Sequence, residues 1–218
     1  MNNWPQVQVA LDLTDIDSAL RIASAATSAG IRWVEAGTPL IKSQGSKAIT
    51  ALKQKFSEAI IVADMKTLDA GAIEASIAFE AGADVMSVSG LAHQQTIRDA
   101  VLTGKRYSRR VIADLLMTSS SLKRAKLLER LGVDIVCAHT GIDAQKVRGH
   151  VRPAKSLSSL VGAVKIPVAV AGGVNPTIAA QLVSLGIKII IVGGWITKSQ
   201  DPLEASKKIL ESIHAQSC

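Results

Sequence analysis

Eight short apolar runs punctuate the chain, at residues 7–13, 33–36, 60–65, 85–89, 111–115, 134–138, 167–171 and 188–192. Their apolar positions are largely consecutive rather than alternating, the pattern of strands covered on both faces. Between them lie segments with apolar residues three and four apart, which predict amphipathic helices, among them 17–28, 70–81, 121–131, 176–185 and 202–214. Asn175-Pro176 and Asp201-Pro202 each put a capping side chain before a proline at the first helical position. Gly30, Gly82, Gly132 and Gly186 stand just past helix ends, where a left-handed residue stops the helix. Ala81-Gly82-Ala83-Asp84-Val85, Leu131-Gly132-Val133-Asp134-Ile135 and Leu185-Gly186-Ile187-Lys188-Ile189 repeat one device, a helix stop followed at once by a strand start.

Strands alternating with helices along the whole length predict a parallel sheet. A count of eight favours closure into a single (β/α)8 TIM barrel over residues 1–218. An open doubly wound sheet would want a glycine-rich turn after the first strand, which instead ends Ala10-Leu11-Asp12-Leu13. The composition, 48% apolar with 3% aromatic, requires a core of Val, Ile, Leu and Ala. No apolar run approaches the ~18 residues of a spanning helix. Met1-Asn2-Asn3-Trp4-Pro5 lacks the features of a signal peptide. The two cysteines, Cys137 and Cys218, make neither a metal spacing nor a disulfide framework. A soluble, cytoplasmic protein without a membrane partner is expected.

The net charge of +7 gathers at Lys105, Arg106, Arg109 and Arg110, at Lys123, Arg124 and Lys126, and at Lys146, Arg148, Arg152 and Lys155. Tyr107 is the only aromatic among these clusters, too few for base stacking, so they read as solvated faces rather than a nucleic-acid surface. A positive field also attracts phosphorylated metabolites.

Barrel active sites sit at the carboxyl ends of the strands. Here those ends supply Asp12, Glu35, Asp64 with Lys66, Ser87 or Ser89, Asp114, His139, Gly172-Gly173 and Gly193-Gly194. Asp64 and Lys66, two apart on one strand, share a face, and Asp69 follows at the turn into the next helix. Taken singly these residues have plain readings: Asp12 as a helix cap, Asp114 as the partner of a nearby arginine, His139 as a core histidine bonded to backbone. Their convergence on one rim points to a working site, because buried charge is costly unless paired. The glycine pairs after the seventh and eighth strands suit a phosphate group, their plain reading being tight turns at positive φ. Glu35 and Asp64, from adjacent strands, could share a divalent cation. Oxygen ligands without thiolate suit Mg²⁺, and the plain reading is that one of them pairs with Lys66. His139 is the candidate proton-transfer group, since an imidazole titrates near neutral pH.

Asp64-x-Lys66-x-x-Asp69 resembles the signature of the orotidine 5′-monophosphate decarboxylase superfamily, phosphate-binding (β/α)8 barrels that act as homodimers. Val34-Glu35-Ala36-Gly37-Thr38-Pro39, Ala63-Asp64-Met65-Lys66 and His139-Thr140-Gly141-Ile142-Asp143 resemble its 3-hexulose-6-phosphate synthase branch. The 3-keto-L-gulonate-6-phosphate decarboxylases are the near neighbour, but carry arginines where this chain reads Thr140-Gly141-Ile142 and Gly193-Gly194-Trp195. They also tend to have glutamate where this chain has Asp114. The resemblance implies ribulose 5-phosphate and formaldehyde as substrates, Mg²⁺ (or Mn²⁺) on Glu35 and Asp64, and aldol chemistry through a 1,2-enediolate. It implies that Lys66, oriented by Asp69 and Asp12, stabilises the enediolate. It further implies that Asp114 bonds a substrate hydroxyl or the aldehyde, and that Asp69 reaches across a homodimer to the partner's site. A reading of another class is a barrel without catalysis that binds a phosphate ligand or nucleic acid; the intact acidic and basic set at the rim argues against it.

Overall fold

The apolar runs form β1 (Gln6–Leu11), β2 (Trp33–Ala36), β3 (Ile60–Thr67), β4 (Val85–Ser89), β5 (Arg110–Asp114), β6 (Ile135–His139), β7 (Val168–Ala171) and β8 (Ile189–Val192). All neighbours pair in parallel, and β8 pairs with β1 to close the barrel. This computed structural model describes residues 5–148, without the side chain of Arg148, and 153–215. Arg152, Cys218 and the first four residues, read above from sequence, lie outside the described residues.

Eleven helices occupy the described connections, more than one per strand. They are α1 (Ile16–Ala29), α2 (Thr38–Gln44), α3 (Lys47–Lys55), α4 (Gly71–Glu80), α5 (Gln94–Arg106), α6 (Ser121–Arg130), α7 (Ile142–Arg148), α8 (Ala154–Val161), α9 (Pro176–Ser184), α10 (Gly194–Thr197) and α11 (Pro202–His214). The β2–β3 connection is split because Gly45, at φ 63°, breaks the helical path between α2 and α3. The expected stops hold: Gly30, Gly82, Gly132 and Gly186 have φ of 115°, 102°, 89° and 82°. Asn175 accepts from Ile178 N at 2.9 Å and Asp201 from Glu204 N at 3.0 Å, so both expected caps form. The α1 cap is Asp15, which accepts from Ser18 N at 2.8 Å, and this leaves Asp12 for another role. No helix among the described residues is long and apolar enough to cross a membrane.

The repeated stop-and-start phrase has a structural job at the amino-terminal rim. Asp84 accepts the Ile61 amide at 2.9 Å and Asp134 the Val111 amide at 2.8 Å, each tying the preceding strand to the strand it opens. Lys53, at 3.0 Å, and Arg109 neutralise Asp84.

Two apolar layers result. One packs the outward strand residues against the helices. The other fills the barrel with Ala10, Trp33, Val62, Val85, Ile112, Ile135, Cys137, Ala169, Ala171, Ile189 and Ile191. Toward the carboxyl end the inward positions turn polar, at Glu35, Asp64, Ser87, Asp114 and His139, and a cavity opens there.

Candidate active site

The cavity has a volume of about 470 Å³, room for a sugar phosphate. Asp12, Glu35, Asp64, Lys66, Asp114, His139, Gly172, Gly173, Gly193 and Gly194 all line it. Of the predicted residues only Asp69 does not; it is exposed two residues past the end of β3.

Lys66 is the centre of the arrangement. β3 loses regular register with β4 between Ala63 and Thr67, and Lys66 adopts φ 45°. A left-handed conformation at a residue with a Cβ costs roughly 1–3 kcal/mol, and the surroundings must hold it. Ser87 does so by accepting the Lys66 amide at 2.8 Å. The ammonium donates to Asp64 Oδ1 at 3.0 Å and Oδ2 at 2.8 Å, and to Asp114 Oδ2 at 2.7 Å. Within the one chain these two carboxylates, not Asp12 or Asp69, bond the ammonium. The reason is geometric: β4 separates β3 from β5, and its inward residue at this level is the small Ser87, so the lysine reaches across to Asp114. Burial alone would lower the Lys66 pKa, but Asp64 and Asp114 outweigh it and hold it well above the usual lysine value.

Asp114 connects two groups of the site. Its Oδ1 accepts the Leu116 amide at 2.9 Å, and its Oδ2 meets both Lys66 and His139 Nδ1, the latter at 2.8 Å. Burial would raise its carboxyl, yet the bond and charge of His139, then Lys66, hold it well below the usual carboxylate range. His139 is therefore bonded to a carboxylate at the cavity wall, and this partner favours the tautomer that leaves Nε2 free of its proton.

The other side of the cavity carries negative charge with less compensation. Burial, then Asp64 and Asp12, push the Glu35 carboxyl well above its ordinary value. Lost hydration, then Asp64, raise Asp12, although it opens to solvent at the mouth. A side chain at Gly37 would strike the Asp12 carboxylate and the Leu11 carbonyl, so that glycine lets β1 and β2 end side by side. Asp64 is fully bonded: Ser87 donates to Oδ1 at 2.7 Å and Thr38 to Oδ2 at 2.7 Å, besides the two bonds from Lys66.

Four carboxylates around one lysine, Asp12, Glu35, Asp64 and Asp114, suit a hard divalent cation. Among the described residues no three His, Cys, Asp or Glu side chains are arranged to hold a metal by themselves. Glu35 and Asp64 would thus contribute two ligands and leave the rest to substrate and water, which is how Mg²⁺ is commonly bound. A cation at Asp64 competes with Lys66 for the same oxygens.

The two glycine pairs differ. Gly172 and Gly173 have φ of 104° and 69°, and a Cβ at Gly172 would collide with the Thr140 carbonyl, so the backbone itself demands glycine there. Gly193 and Gly194 are not at positive φ and no neighbour lies within 3.6 Å of an added Cβ, so their bareness serves the cavity side. A helix amino end behind each pair was expected, and α9 and α10 begin there; the α9 end is capped by its own Asn175, and α10 is only four residues long.

Sequence reasoning missed four groups. Thr38 and Gln8 bond the carboxylates Asp64 and Glu35. Lys198 lines the cavity, its Cδ and Cε 3.8 Å from where a Gly194 Cβ would lie. Gln145 also lines the cavity and donates to the Thr140 carbonyl at 2.8 Å. Trp195 is exposed and not among the lining residues.

Comparisons with known proteins agree with this fold. A 3-hexulose-6-phosphate synthase of Mycobacterium gastri is 36% identical over 211 residues, 95% of this chain and 99% of the relative. A crystal structure of a 3-hexulose-6-phosphate synthase superposes with a TM-score of 0.90 at 36% identity, covering 95% of this chain and 99% of the other. The 3-keto-L-gulonate-6-phosphate decarboxylase of Vibrio cholerae O1 superposes with a TM-score of 0.85 at 26% identity, over 98% of this chain and 99% of that one. Residues 5–209 match the profile described as orotidine 5′-phosphate decarboxylase / HUMPS, and the chain belongs to that family.

Proposed function

We propose that the protein is a carbon–carbon lyase of the 3-hexulose-6-phosphate synthase type, joining formaldehyde to ribulose 5-phosphate and catalysing the reverse cleavage. The observation that carries this reading is the bonded chain Asp64–Lys66–Asp114–His139 facing the glycine pairs across one cavity, with no arginine at 140–142 or 193–195. The substrate phosphate rests on Gly172-Gly173 and Gly193-Gly194, with Lys198 as the nearby cation. That places the sugar carbons towards Lys66 and His139. His139 removes the C1 proton, and the electron pair left behind is shared as a 1,2-enediolate whose charge the Lys66 ammonium stabilises. C1 then attacks the formaldehyde carbon, forming the new C–C bond, and the aldehyde oxygen takes up a proton. Asp114 holds His139 and Lys66 in fixed relation throughout. Glu35 and Asp64 would hold Mg²⁺, or Mn²⁺ in its place, which when bound supplies a further positive centre for charge developing on the substrate oxygens.

A homodimer belongs to the proposal. Helix α4 buries Ala75, Ala78 and Phe79 yet exposes Ile73 and Ile77, and Leu68, Leu91 and Leu102 are exposed on the neighbouring loops and α5. Apolar residues on both faces of a helix suit burial against a second copy. Asp69, exposed beside this surface in sequence, would then complete the partner's site. The test is incubation with ribulose 5-phosphate and formaldehyde, with Mg²⁺ or EDTA. Formation of a hexulose 6-phosphate supports the assignment. Carbon dioxide release from 3-keto-L-gulonate 6-phosphate instead would move the chain to the decarboxylase branch.

A further inference from the structure

Gln8 sits on β1 two residues deeper than Ala10, on the face that lines the barrel interior, and is 1% exposed. In the register of β1 and β2, Ala10 lies opposite Glu35 and Gln8 opposite Trp33, so the amide approaches Glu35 from the floor of the cavity. Its Nε2 donates to Glu35 Oε2 at 2.5 Å. Its Oε1 is the only buried side-chain nitrogen or oxygen among the described residues that lacks a hydrogen-bond partner.

These facts make a structural role a poor account of the residue. The rest of the barrel interior at this depth is apolar, with Trp33, Val62, Ile189 and Ile191 around it. A leucine or methionine would fill the space without stranding a carbonyl, and a stranded carbonyl weakens a fold. Glu35 supplies the reason to keep an amide. Its carboxylate is buried next to two others, and Gln8 is the one hydrogen-bond donor to its side chain among the described residues. Lys66, the cation of the site, is bonded to Asp64 and Asp114 instead, and His139 to Asp114.

We infer that Gln8 is a positioning residue for Glu35 as a divalent-cation ligand. The amide N–H binds one carboxylate oxygen from the floor and leaves the other for the cation, while Gln8 Oε1 accepts a hydrogen bond from water that the cation carries. The inference rests on the Mg²⁺ reading above.

The test is titration of the substrate-free full chain with Mn²⁺, read by the electron paramagnetic resonance of the free ion, beside thermal unfolding in EDTA. Gln8→Met should bind Mn²⁺ about tenfold more weakly, the scale of one charge-assisted hydrogen bond, while its unfolding temperature in EDTA holds or rises. Gln8→Leu should do the same and serves if the methionine variant fails to fold. Mn²⁺ affinity within twofold of the unsubstituted chain in a folded variant overturns the inference, and so does failure of both variants to fold, which would assign Gln8 to stability. Absence of Mn²⁺ binding by the unsubstituted chain is a separate result that overturns the cation reading itself.

Discussion

Replacing Lys66 with methionine keeps an unbranched side chain one atom shorter and removes the charge that joins both halves of the site. The ammonium lies 2.8 Å from Asp64 Oδ2 and 2.7 Å from Asp114 Oδ2. At an effective dielectric of about 20, one such pair attracts by roughly 6 kcal/mol before desolvation is counted. Removing one partner of a buried pair costs about 3–5 kcal/mol, and the Lys66 side chain is 26% exposed, so about 3 kcal/mol is the expected loss. In a chain of this size that lowers the unfolding temperature by roughly 6–12 °C. The carboxylates left behind repel one another more, so a divalent cation should restore part of the loss and bind more tightly than in the unsubstituted chain. Turnover should fall by roughly 10²–10³-fold or more, because the charge that stabilises the enediolate is gone. The assay is a thermal melt with EDTA or Mg²⁺ beside steady-state rates. Rates within tenfold of normal, or a melt in EDTA that does not move, would refute the reasoning.

The remaining expectations are shorter. Lys198→Ala should raise KM for ribulose 5-phosphate about tenfold with kcat within twofold, since the lysine lies beside Gly194, where the proposal sets the phosphate; a fall in kcat with KM unchanged contradicts this. Ile73→Glu, which puts a charge on a residue 65% exposed on α4, should yield monomers in light scattering and lose activity through Asp69; an unchanged mass tells against the dimer. Asp114 has a depressed carboxyl, so its ionised form stabilises the fold above about pH 4, and that contribution fades as pH falls through the folded value. Asp114→Asn should therefore be less stable at pH 7 and lose less stability on acidification than the unsubstituted chain; equal pH slopes in denaturant melts would contradict it.

The barrel was legible because its strands are short apolar runs and its helix stops are glycines, both local signals. Membership of the site was legible for the same reason: Asp12, Glu35, Asp64, Asp114 and His139 are polar residues at or just past the ends of apolar runs. Partnerships were not. That Lys66 bonds Asp114 rather than Asp12 or Asp69 depends on closure of the sheet and on the smallness of Ser87 between them, neither of which is encoded in spacing. Gln8 escaped notice because one glutamine between Val7 and Val9 does not say which face of the strand it takes, and only the closed barrel shows it turned inward. Lys198, on a segment after a very short helix, looks like any solvated lysine until its stem is seen against Gly194. The split between α2 and α3 hid behind a single glycine, which alone does not separate a kink from a break.

The most direct test of the central claim is the fate of the C1 proton of ribulose 5-phosphate in deuterium oxide with Mg²⁺, followed by addition of formaldehyde. The account predicts exchange of the C1 proton into solvent, and then a hexulose 6-phosphate, both abolished by His139→Ala with the fold retained. Neither exchange nor condensation by the unsubstituted protein would contradict it.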